Sequence, residues 1–200
     1  MNKTTAEDMM AMTPIHEQTA ASQRLPNQEG RADSSSASGA NASSEFVAVL
    51  ERSGLHDALR YLNGRVRFRF TGVYRCDKSV LIIQSLCDRE NPSVEHCGEI
   101  RQLKGTFCSI VLATGEPFAT GNAPADPLLE KYPLRHTVIS YSGVPIRTPT
   151  GRIGGVLCHY DFRPRLLPPG EQKILASVTP YLAQYVDGAR DAETAPTAKG

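Results

Sequence analysis

The sequence predicts an α+β domain, a central antiparallel sheet with a helix at each end, carried behind an unstructured N-terminal tail. Three observations support this. Amphipathic stripes begin and end the region 45–187; two pairs of strand-like segments are each joined by turn residues; and the composition changes abruptly outside these limits. Residues 1–44 contain few aromatic or branched apolar residues and include the run Ser34-Ser35-Ser36-Ala37-Ser38-Gly39. Such a segment buries too little apolar surface to offset an ordering entropy of roughly 1–2 kcal/mol per residue. Residues 188–200 read the same way, so three regions are expected: tail 1–44, domain 45–187, tail 188–200.

Phe46, Val47, Leu50, Leu55, Ala58, Leu59 and Leu62 fall at helical spacing, with Ser44 as the expected N-cap, Asn63-Gly64 as the stop and Gly54 as an internal break. Arg65 to Phe70 alternates charged and apolar residues, and Tyr74 and Cys76 continue the period, which predicts a half-buried strand. Asp77-Lys78 turns the chain into a second strand, Val80 to Cys87. The polar stretch from Asp88 to Gly105 reads as a loop with a short helix at Val94 to Gln102. Phe107 to Ala113 is apolar and fits either helix or strand. After Thr114-Gly115-Glu116-Pro117 come a short strand, Phe118 to Thr120, and a proline-bearing lid, Asn122 to Arg135, with one helical turn at Pro127 to Lys131. Val138 to Ile146 and Arg152 to Tyr160 form a second hairpin about Pro149-Thr150-Gly151. Pro168 and Pro169 introduce the last helix, whose stripe runs from Ile174 to Val186. Pro180 removes its backbone bond to Ala176 and predicts a kink near Thr179.

With 22 basic and 21 acidic side chains the formal charge is +1, which gives no reason to expect nucleic acid or an anionic membrane. No run reaches the ~18 apolar residues of a membrane span, and no apolar stretch follows a basic start, so a cytoplasmic protein is expected. Five cysteines without C-x-x-C spacing argue for reduced thiols rather than a disulfide framework.

The block Thr106-Phe107-Cys108-Ser109 through Thr114-Gly115-Glu116-Pro117-Phe118 leads to Asn122-Ala123 and Asp126-Pro127. It is followed in order by Tyr141-Ser142-Gly143-Val144-Pro145-Ile146 and Gly155-Val156-Leu157-Cys158-His159-Tyr160-Asp161. This ordered series resembles a GAF domain, and the resemblance covers about residues 45–187. It implies a GAF/PAS-like sheet whose one face, with a lid of helices and loop, encloses a small molecule and regulates a partner. Carried over by position, the pocket wall would include Phe107, Cys108 and Ser109, with Asn122, Asp126 and His136 from the lid and Tyr74 and Tyr141 from strands. The acidic signature of cyclic-nucleotide-binding members is absent, and the lid lacks the cysteine that tethers bilin in many photoreceptor members. No cofactor is therefore identified.

Cys87, His96, Cys97 and Cys108 are spaced too widely for a common zinc pattern. The resemblance extends to free methionine sulfoxide reductases, GAF-fold enzymes that use cysteines. Their attacking cysteine belongs to the lid, where this chain has none between Cys108 and Cys158. The expected role is thus a non-catalytic sensor that binds an unidentified small molecule and signals to a protein partner through dimerising terminal helices. A ligandless docking module, in which Leu55, Leu59, Leu62 and the Tyr181/Leu182/Tyr185 stripe bury against a second chain, is the alternative. A cysteine redox sensor or a reductase-like enzyme ranks below both.

Overall fold

The computed structural model describes residues 33–187; of the tails expected at 1–44 and 188–200, residues 1–32 and 188–200 lie outside the described residues, whereas 33–44 are helical. The elements in chain order are α1 (Asp33–Arg65), β1 (Phe70–Asp77), β2 (Val80–Asp88), β3 (Ile100–Gln102), α2 (Phe107–Thr114), β4 (Phe118–Thr120), β5 (Ser140–Arg147), β6 (Ile153–Asp161) and α3 (Glu171–Val186). Three 3-10 turns, Ala123–Ala125, Pro127–Leu129 and Pro133–His136, make up the lid between β4 and β5. The strands form one antiparallel sheet in the order β3-β2-β1-β6-β5-β4, which is the expected α+β architecture.

Strand alternation divides the molecule into two cores. Val73, Val144, Ile146 and Leu157 face the helices and pack with Phe46, Leu59 and Leu62 of α1 and Leu175, Val178 and Leu182 of α3. Tyr74, Tyr141, Val156 and Cys158 point the other way and meet Phe107 and Val111 of α2 and Leu129 of the lid. On β2 the alternation is broken by a bulge, since Val73 pairs with Ser85 while Tyr74 pairs with Ile83. The extra residue, Gln84, puts Leu81, Ile83 and Leu86 in the lid-side core and Cys87 in the helix-side core.

Several expectations are corrected. Ser44 is not the N-cap, because α1 starts at Asp33 and the Ser44 hydroxyl donates to the Ala40 carbonyl at 3.1 Å. The turns before it look too polar to fold alone, yet they dock on α3: Ala42 is buried, and the Ser43 and Ser177 hydroxyls lie 2.6 Å apart. Gly54 breaks the helix as expected, with φ 83° and ψ −178°.

The strand expected from Arg65 begins only at Phe70. Before that point the backbone is held by side chains instead of a ladder. The Asn63 amide donates to the Phe68 and Arg69 carbonyls, and the Arg89 guanidinium to those of Asn63 and Val66. The arginine alternation serves ion pairs as well as solvent: Arg65 grips buried Glu171 with two bonds of 3.2 Å, Arg69 grips Asp88, and Arg67 is exposed.

No helix forms at 94–102. That segment follows the free edge of β2, with a bridge between Leu86 and His96, a bond from the Ile83 N–H to the Glu99 carbonyl, and then β3. Phe107 to Ala113 resolves as helix, capped by Thr106. Pro180 lies within a single helix α3. The Thr179 hydroxyl donates at 2.9 Å to the Ala176 carbonyl that Pro180 cannot reach, so the lost backbone bond is replaced locally.

Candidate functional site

Between the lid-side face of the sheet and the lid lies a cavity of about 520 Å³, within the ~300–1,000 Å³ usual for small-molecule sites. Its floor is built from cross-strand pairing. Gly72 of β1 and Gly143 of β5 both lie opposite Cys158 of β6, forming a row Gly72, Cys158, Gly143 across three strands. A Cβ on Gly143 would fall 2.2 Å from the Tyr141 hydroxyl oxygen, and one on Gly72 would fall 2.9 Å from the Tyr74 ring. Each glycine therefore leaves room for the tyrosine two residues away on its own strand to lie down over the sheet. Phe107 meets the edge of Tyr141 at 5.6 Å between ring centroids and closes the wall beside it.

The floor's polar atoms are mostly paired among themselves. Tyr74 donates to the Tyr160 hydroxyl at 3.3 Å, and Tyr141 donates to Cys108 Sγ at 3.4 Å. Burial drives both Tyr74 and Tyr141 well above the ordinary phenol range, so they stay protonated donors. Cys158 and then the Tyr141 donor lower the Cys108 pKa against its burial, while Cys108 and burial raise the Cys158 thiol. Cys108 is the more acidic member of a buried thiol pair.

Of the eight residues expected in the pocket, Tyr74, Phe107, Cys108 and Tyr141 are brought together on its wall. The other four are not. Ser109 turns back along its own helix and donates to the Thr106 carbonyl. Asn122 and Asp126 stand at the starts of 3-10 turns, Asp126 accepting from the Leu128 N–H at 3.0 Å. His136 is exposed and accepts from Arg135 Nε at 3.2 Å. In each case a helix or turn needed that side chain for its own backbone, or left it outside. Sequence reasoning missed Cys158, Tyr160, Arg101 and Lys104 as lining residues. The two on β6 were within reach, since the hairpin turn at Gly151 places residue 158 opposite 143 and on the same face as Tyr141.

His159 is on the opposite face, buried, with Nδ1 2.7 Å from the Thr71 hydroxyl. Burial, with Arg89 and Arg65 nearby, lowers its pKa to about 3, so it is neutral at physiological pH. Its Nε2 and the hydroxyl of its cross-strand neighbour Ser142 have no hydrogen-bond partner among the described residues. Among those residues no group of three or more His, Cys, Asp or Glu could hold a metal ion.

A family model described as GAF domain matches residues 41–186. The chain belongs to the GAF family. Solved structures agree on the fold. The GAF domain of a phosphoenolpyruvate-protein phosphotransferase from Acinetobacter is 18% identical, with a TM-score of 0.60 over 79% of this chain and 98% of its own. A free methionine-R-sulfoxide reductase from Neisseria meningitidis, solved in complex with its substrate, is 16% identical, with a TM-score of 0.58 over 84% and 99%. The GAF domain of a second such phosphotransferase, from Coxiella burnetii, is 13% identical, with a TM-score of 0.58 over 78% and 97%. At these identities the likeness is one of fold. No curated protein sequence matches the chain. GAF domains are commonly sensory or regulatory, and in this one no helix among the described residues is long and apolar enough to cross a membrane.

Proposed function

We propose that this GAF domain is a non-catalytic sensory module of the cytoplasm that binds a small molecule in the cavity between sheet and lid. The observation that carries the reading is the cavity itself. A domain that served only to dock would gain most by filling this space, because unfilled apolar volume costs packing energy. Here the two tyrosines lie flat over glycines and leave it open. The non-catalytic reading is supported by the lid, residues 122–136, which contains no cysteine.

Occupancy would be communicated through the sheet to α1 and α3, which pack on its other face, and from there to a second copy of the chain and a signalling protein partner. Leu59, Leu62 and Leu182, once expected at a dimer contact, are consumed by the chain's own core. The dimer reading therefore rests on the outer side of α3, where Tyr181 is 49% exposed. With a net charge of +1, neither nucleic acid nor a membrane surface is proposed as a partner.

Native mass spectrometry of the purified protein, combined with a metabolite thermal-shift screen, tests the central claim. A small-molecule adduct or a ligand-dependent rise in melting temperature is expected. Neither appearing would overturn it.

A further inference from the structure

The cavity is polarised. Among the described residues that line it there is no aspartate or glutamate, while Arg101 and Lys104 stand on one wall, in and just after β3. Arg101 is exposed and shares its charge with Glu99, and Lys104 is exposed a few residues on. Next in the chain comes the N-terminus of α2, which carries no acidic residue in its first turn and so adds positive partial charge along the same wall. The Tyr160 hydroxyl accepts from Tyr74 and keeps its own proton to donate. Ile83, Leu86, Leu134 and Val138 add apolar surface to the lining.

We infer that the cavity takes an amphipathic organic carboxylate, with an aryl or alkyl body against the apolar walls and the carboxylate toward Arg101 and Lys104. This rests on the ligand-binding reading above. An ammonium head would meet two cations and a helix N-terminus with no carboxylate in the lining, and a neutral head would use the donors but not the charge. The exposed position of both cations lets a ligand head keep part of its hydration, so discrimination comes from charge at the mouth and affinity from the buried body.

The test is calorimetric titration of the full chain with two matched sets: 3-phenylpropanoate, its amide and 3-phenylpropylamine; and octanoate, octanamide and octylamine. In at least one set the carboxylate should bind about tenfold or more tighter than the amide, with the amine weakest. The difference should shrink in high salt. The double substitution Arg101→Gln with Lys104→Gln should bring the carboxylate down to the level of the amide. Amide or amine binding as tightly as the carboxylate overturns the inference and leaves the ligand-binding reading standing. A carboxylate preference unchanged in the double variant also overturns it. No binding by any of the six probes overturns this inference, while the ligand-binding reading stands or falls on the native mass spectrometry and the metabolite screen.

Discussion

The Tyr141 hydroxyl donates to Cys108 Sγ at 3.4 Å while lying over Gly143, whose cross-strand partner is Cys158. One phenol thus ties α2 to the sheet and, after Cys158, helps hold the Cys108 thiol below its usual range. In a background with Cys76, Cys87 and Cys97 replaced by serine, Tyr141→Phe should raise the apparent pKa of Cys108, because a donor to sulfur stabilises the thiolate. Alkylation rates measured against pH would show the shift, and a Cys108 made more reactive by the substitution would contradict the assignment.

Gly143→Ala places a methyl group where the Tyr141 hydroxyl now sits. A destabilisation of about 1–3 kcal/mol in urea unfolding is expected from the forced shift of a packed ring. Combined with Tyr141→Ala, the second substitution should cost less than it does alone, since the clash is gone. Strict additivity would argue against the contact.

Asp88 is held at a pKa of about 2, chiefly by its bonds from Arg69. The folded value lies below the unfolded one of about 3.9, so the pair stabilises the protein above roughly pH 4 and that contribution fades toward pH 2. Asp88 is nearly buried while Arg69 is partly exposed, so solvent screening reduces the effect to on the order of 1–2 kcal/mol. Asp88→Asn should flatten the acid limb of the stability curve by that amount, and an unchanged limb would refute it.

His159 acts in the same direction at higher pH. Its folded pKa of about 3 lies below the unfolded value of about 6.5, so the unfolded chain takes up a proton first and stability falls as pH drops from about 6.5 toward 3. Two-dimensional NMR of the imidazole should show a neutral ring at pH 5. A titration near 6.5 would show that the side chain is solvated.

Tyr181→Glu adds a charge on the exposed side of α3 without entering the core. If the proposed dimer uses that side, light scattering should give two chains for the native protein and one for the variant. A native monomer would end the dimer proposal.

The helices and hairpins were legible because their signals are local: stripes at Phe46 to Leu62 and Ile174 to Val186, and turns at Lys78 and Gly151. What escaped was set by distant partners. Arg65 to Arg69 has strand periodicity, but Glu171, Asp88 and Arg89 decide its conformation. His96 to Gln102 becomes sheet only because β2 offers an edge. In the site, Tyr74 and Tyr141 were recognisable, whereas Asp126 and Ser109 have side-chain chemistry that serves backbone bonding and ligand binding equally well. Only coordinates separate the two uses.

The break at Gly54 makes α1 two rods. The first, ending before Gly54, meets α3 at the Ser43–Ser177 contact, while the second is anchored to β1 by the Asn63 amide and to α3 by Arg65 and Glu171. The two rods are tied across the break, where the Tyr61 hydroxyl donates to Glu45 at 2.7 Å. Gly54 is therefore a fixed elbow: its left-handed φ redirects the chain so that Phe46 before the break and Leu59 and Leu62 after it reach one and the same core.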